Sequence, residues 1–227
     1  MRIGVVFEKG ERLRHLGHLD LMRTMQRCLR RSGLPLSYSK GFNPHILLYF
    51  ASALSVGAVG EHEIMEVDLD RNMDVSQFMN LLSVSCPPDL RILQAFEIRE
   101  GTPALMSLVC AGAWRMEVQD PVSDQRLCGQ VDAFLAQTTV MAMRKTKSGE
   151  KEVDIRPSVF SLEYREGMYH MVLESREARS CKPGVLLEAM CRLAVMDVPR
   201  VRLWREYLLG ERQGEGMERL ERLLCAN

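Results

Sequence analysis

The stretch Glu63-Ile64-Met65-Glu66-Val67-Asp68-Leu69-Asp70 reads as an alternation, with Met65, Val67 and Leu69 on one side and Glu66, Asp68 and Asp70 on the other. A period of two sustained over this length predicts a strand that is apolar on one face and wet on the other. Working downstream, Asp74 stands where it can cap a short helix that turns Val75, Phe78, Met79 and Leu82 inward, and Cys86-Pro87-Pro88 stops that helix. Residues 90–98 then read as a strand. Working upstream, Gly57 and Gly60 mark a turn, and the apolar run 46–54 suits a buried strand. A helix from about His18 to Ser32, ended by Gly33 and Pro35, comes before it. Residues 2–8 alternate weakly, so that Ile3, Val5 and Phe7 share a face.

The element order is therefore β-α-β-β-α-β, that of a ferredoxin-like unit, in which two helices cover one face of an antiparallel sheet. The pattern lapses over 99–111, where Gly101, Pro103 and Gly112 mark a linker, and then the order returns. Residues 113–119 read as a strand, and Asp120-Pro121 supplies an N-cap with proline at the first helical position of a helix carrying Leu127, Val131, Phe134 and Leu135. Lys147-Ser148-Gly149 signals a hairpin between 140–143 and 151–155, and Glu166-Gly167 a second turn between 158–164 and 168–173. A helix over 183–193, a strand over 201–207 and a polar helix over 215–224 complete the chain. The expected fold is α+β, two tandem ferredoxin-like units with antiparallel sheets over 1–100 and 112–209, followed by a tail helix within 210–227.

Charge is unevenly spread. The 227 residues carry 30 Lys/Arg and 30 Asp/Glu, yet residues 9–45 hold eight Lys/Arg against two acids, a local charge of +6. On the predicted helix Met22, Met25 and Leu29 fall on one face, and Arg23, Arg27, Arg30 and Arg31 on the opposite one. Guanidinium groups match phosphate oxygens in geometry and charge, so this face points to a polyanion, while a merely solvated face is the plainer alternative.

Three motifs are candidates for chemistry. In Leu13-Arg14-His15-Leu16-Gly17-His18-Leu19-Asp20, His15 and His18 have the residue type for general acid–base attack on an RNA 2′-hydroxyl, with Lys9 and Arg14 nearby to contact phosphate; a structural helix start is the alternative. In Lys40-Gly41-Phe42-Asn43-Pro44-His45, glycine lets the backbone approach a ligand, Lys40 and Asn43 can bond phosphate or base, and Phe42 can stack on an unpaired base; a simple turn before a strand is equally compatible. In Lys151-Glu152-Val153-Asp154-Ile155-Arg156-Pro157, the plain reading is an ion pair of Asp154 with Arg156, and the functional one a basic hairpin offering Lys151 and Arg156 to the same anion. The acids of 61–74 read first as an exposed strand face. The seven cysteines show no metal-ligand spacing or disulfide framework, and no phosphate-binding loop, dinucleotide fingerprint or glycine-flanked serine occurs, so no metal or cofactor is expected on this chain. Residues 1–8 are too short for a signal peptide and no apolar run is long enough to span a membrane, which predicts a cytoplasmic protein without a membrane partner.

Lys9-Gly10, the run from Leu16 to Arg23, Arg30-Arg31-Ser32-Gly33-Leu34-Pro35, the run from Tyr38 to His45 and the run from Lys151 to Pro157 together resemble the bacterial radical-SAM-linked domain family of unknown function. Members occur alone or fused behind a radical-SAM enzyme with a B12-type domain. Gly17 stands where serine is usual, and Ile46 where arginine often follows. The resemblance implies a radical-SAM protein as partner and RNA or ribosome maturation as the setting; an iron–sulfur cluster, S-adenosylmethionine and cobalamin would sit on that partner. Three functions stay open. The first is an RNA-binding or substrate-presenting accessory module, not itself an enzyme. The others are a metal-independent endoribonuclease, by analogy of fold alone, and a protein-interaction scaffold.

Overall fold

The computed structural model describes residues 1–146, 149–212 and 216–225. It is a mixed α/β chain that divides into two units, Met1–Val109 with Arg205–Asn227, and Cys110–Trp204.

In the first unit β1 (Arg2–Lys9) lies between β4 (Leu90–Glu97) and β3 (Ala58–Asp68), and the short β2 (Leu48–Phe50) pairs with the far side of β3, all antiparallel. Helices α1 (His18–Arg31) and α2 (Val75–Ser85) bury Leu21, Met25, Leu29, Phe78 and Leu82 against Ile3, Val5, Phe7, Met65 and Val67. Asp74 accepts a hydrogen bond from Gln77 N at 2.9 Å, as its position before α2 predicts.

The strand read as half-wet is covered on both faces. A second cluster joins Val6, Ile64 and Phe96 to Leu105 of α3 (Leu105–Leu108), Leu208 of β10 (Val201–Arg212) and Leu220 of α7 (Leu220–Cys225). Alternation in β3 therefore does not separate core from water, and Glu63 and Glu66 are buried. Arg2 satisfies Glu66 with Nε at 3.0 Å, while its Nη1 and Nη2 donate to the carbonyls of Thr102 and Pro103 at 2.6 and 2.9 Å. Among the described residues, the segment read as a polar tail helix begins instead as β11 (Gly216–Arg219), antiparallel to the end of β10, and its helical part is Leu220–Cys225. The reason is Leu220: fully buried under the sheet, it fixes the chain there, and the preceding residues reach it by following β10.

In the second unit β9 (Met168–Glu174) lies between β5 (Val109–Val118) and β8 (Val159–Arg165), again antiparallel. Glu166 and Gly167 both have positive φ, 54° and 75°, the two-residue turn their sequence predicts. Asp120 accepts from Ser123 N at 2.8 Å and caps α4 (Pro121–Cys128), which breaks at Gly129 before α5 (Val131–Leu135). The hairpin strands β6 (Met141–Thr146) and β7 (Gly149–Asp154) form a separate two-stranded sheet, and α6 (Pro183–Leu193) follows β9. Lys147 and Ser148 of the predicted turn lie outside the described residues. The strand β5 begins within the segment read as linker, because Val109, Cys110 and Ala111 are buried. No helix among the described residues is long and apolar enough to cross a membrane.

Candidate functional site

Cations of the basic segment separate into those the fold consumes and those it leaves open. Lys9 ends β1 with no exposed surface, and its ammonium donates to the carbonyls of Arg14 and Leu16, both at 3.0 Å, and of Ala58 at 3.3 Å. Burial pulls its pKa down to about 8, against the attraction of Glu63 and with the help of the Arg205 charge. Lys9 is thus a staple for the 10–17 loop and not a surface phosphate contact. The loop is held further by a 3-10 turn over Glu11–Leu13, by Gly10 N donating to Asp89 O at 2.7 Å and by Gly57 N donating to Arg14 O at 2.8 Å.

Beneath Lys9 lies a charge pair that no local motif announces. Arg205 and Glu63 are both buried, Nε reaching Oε1 at 2.8 Å and Nη2 reaching Oε2. The remaining guanidinium hydrogens go to Ser52 Oγ and Ala53 O, each at 3.1 Å, and to Ser52 O at 3.3 Å. Gly60 makes this possible, since a Cβ there would stand 2.5 Å from Glu63 Cγ. Sequence reading singled out neither partner, because 142 residues separate them.

The two histidines have different surroundings. Arg14 is ion-paired with Glu11, and its Nε donates at 3.0 Å to Nε2 of the exposed His15. His18 opens α1, and its ring packs edge-on against Phe50 with centroids 5.5 Å apart.

Along α1, Arg23 bonds Asp20 at 3.2 Å, Arg27 reaches the Thr24 hydroxyl at 3.4 Å, and Arg31 turns to Ser85 O at 2.7 Å. Arg27, Arg30 and Lys40 are exposed, and none forms an ion pair among the described residues. The 39–45 loop is tied at its neck: Ser39 N donates to His45 O at 2.8 Å, His45 N donates to Ser39 Oγ at 3.1 Å, and Ser39 Oγ and His45 Nδ1 lie 2.8 Å apart. Tyr38 bridges Ile46 just behind the neck, and Leu36 bridges Leu69. Everything beyond the neck is open. Gly41 takes φ +126°, which a side chain would resist, and Phe42 has a fully exposed ring beside exposed Lys40 and Asn43.

In the second unit Lys151 is exposed on β7, whereas Arg156 is spent within the fold. Its guanidinium donates to Gln137 O, Leu135 O and Val159 O at 3.1, 3.1 and 3.2 Å, closing the carbonyl end of α5. The expected ion pair of Asp154 with Arg156 is replaced by backbone contacts: Asp154 Oδ1 accepts from Val140 N at 2.9 Å and Arg156 N at 3.0 Å. Among the described residues no group of three His, Cys, Asp or Glu is placed to hold a metal ion.

These observations define a mixed α/β protein whose first unit presents an arginine helix and a neck-closed aromatic loop. The chain belongs to a family of uncharacterized proteins conserved in bacteria, DUF2344, whose model matches residues 2–183. The matched segment contains Lys9, Glu63, the arginine helix, the loop and the hairpin, and ends before Arg205. A search of the curated proteins gives no match.

Proposed function

We propose that this protein is an RNA-binding or substrate-presenting module that takes single-stranded RNA and works beside a radical-SAM enzyme. The observation that carries the reading is the 39–45 loop, which holds an aromatic ring wholly in water with Lys40 and Asn43 beside it. An exposed phenylalanine with no packing partner has no stabilising role in the unit, whereas stacking on an unpaired base gives it one. Arg27 and Arg30, open on α1, add phosphate contacts. The radical-SAM association rests on the motif resemblance. Part of the same reading is that each unit is ferredoxin-like: the order β4-β1-β3-β2 with α1 and α2 on one face fits it in the first, and β5-β9-β8 with α4 and α6 between strands fits it in the second.

The test is fluorescence anisotropy with a labelled single-stranded RNA and its duplex, from low to moderate salt. Single strands are expected to bind better, with affinity falling steeply as salt rises. Absent binding, or binding untouched by joint Arg27→Glu, Arg30→Glu and Lys40→Glu substitution, would leave a protein-interaction scaffold in its place. Incubation with RNA alone is expected to leave the strand intact; cleavage lost in His15→Ala would bring the nuclease forward.

A further inference from the structure

We propose that the first unit holds a binding cavity for a medium-chain carboxylate, an apolar tail with one anionic end, on the sheet face away from α1 and α2. The cavity, of about 350 Å³, lies between α7, the end of β10 and the chain that follows β4. A volume of this size falls in the range of small-molecule sites. None of its walls comes from α1 or the 39–45 loop, so the proposal is independent of the RNA reading. The interior is apolar. Ile98 and Leu220 belong to the buried cluster on this face, and Leu108 and Leu224 pack against it while staying half-buried, as Leu223 does. Three leucines thus keep part of their apolar surface toward one hollow, where a hydrocarbon tail would remove it from water.

The walls are fixed before any ligand arrives. Arg2 holds the carbonyls of Thr102 and Pro103, and Thr102 N donates to Arg99 O at 3.1 Å. Gly210 lets α7 press onto β10, since a Cβ there would stand 2.7 Å from Leu223 Cδ1 and 3.1 Å from Leu108 O. A tail therefore enters without the entropic cost of ordering its site. The charge at the rim selects the head group. Arg99 is exposed there and forms no ion pair among the described residues, whereas Arg212 already reaches Glu218 at 3.4 Å. One open guanidinium suits one carboxylate. Glu211, also at the rim, opposes a second negative charge and so favours a monoanion over a polyanion.

The experiment is isothermal titration of the full chain with decanoate, and with decanol as the uncharged probe of the same chain length. Decanoate is expected to bind saturably at one site per chain, and decanol roughly 3- to 5-fold more weakly, the worth of one exposed ion pair. Arg99→Gln should weaken decanoate by the same factor and leave decanol unchanged. Leu223→Trp, which fills the hollow, should weaken both about tenfold or more. Because the Arg99 side chain is exposed, its replacement reads the site even where Leu223→Trp disturbs the packing of α7. No saturable decanoate binding, equal affinity for the two probes in the parent chain, an equal loss for both probes in Arg99→Gln, no loss for either, or full affinity in a folded Leu223→Trp would each overturn the assignment.

Discussion

Two loops of the first unit read alike in sequence and end in opposite states. Residues 10–17 and 39–45 each carry a basic residue, a glycine and a histidine. The first is gripped from inside by a lysine that gave up its hydration to bind three carbonyls; the second is fastened only at its neck and offers its tip to solvent. The difference comes from the strand behind each loop. Lys9 still belongs to β1 and points into the interior at a bulge, whereas Lys40 lies beyond the last bridge between Tyr38 and Ile46. Local composition marks where cations gather, and the register of the neighbouring strand decides which of them face a ligand.

The sharpest way to break this comparison is to unbalance the charge under the first loop. Arg205→Met leaves Glu63 buried and unpaired, and should cost about 3–5 kcal/mol in urea unfolding, while the double variant Arg205→Met with Glu63→Leu should regain most of it. A single variant within about 1 kcal/mol of the parent would show that the pair does not hold the loop's floor.

Lys9→Met should cost about 2–3 kcal/mol by stranding its carbonyls. Its pH signature has a definite sign. Lys9 titrates at about 8 when folded and near its ordinary 10.5 when unfolded, so between those values the unfolded chain binds more protons and stability rises with pH through this group. The advantage of the parent over Lys9→Met should therefore widen from pH 8 to pH 10.5 in parallel unfolding curves. A constant gap would mean that the ammonium is not desolvated.

In the second unit the same contrast holds between neighbours. Arg156→Met should lose about 1–3 kcal/mol because three carbonyls lose their donor, and Lys151→Glu should stay within about 0.5 kcal/mol. Equal effects from the two would erase the distinction between consumed and open cations. The smallest stability change is expected for Phe42→Ala, within about 0.5 kcal/mol by thermal melting, yet single-strand affinity should fall roughly 5- to 100-fold, the worth of one stacked base.

How much of this the sequence displayed follows from range. Caps, turns and helix faces were legible because their partners lie within a few residues: Asp74 with Gln77, Asp120 with Ser123, Glu166 with Gly167. The open cations of α1 and the 39–45 loop were legible for the same reason. What stayed hidden depends on distant chain. The acidic side of 63–70 looks wet until Leu105, Leu208 and Leu220 cover the sheet, and Glu66 looks free until Arg2 arrives from the first strand. Lys9 and Arg156 looked like ligand contacts because a carbonyl acceptor leaves no mark in a sequence.

The split of the first unit between Met1–Val109 and Arg205–Asn227 also sets a timetable. A ribosome delivers Glu63 142 residues before Arg205, which at bacterial elongation speeds is a wait of roughly 7–30 s. During that interval the nascent unit carries a carboxylate whose partner does not yet exist, and the whole of the second unit is synthesised before that partner arrives. Arrested chains ending before Arg205 are expected to be cleaved by protease within the first unit, and those extended past Arg212 to resist; equal resistance would mean that the first unit closes without its return strand. The earliest segment made is then the last to become secure.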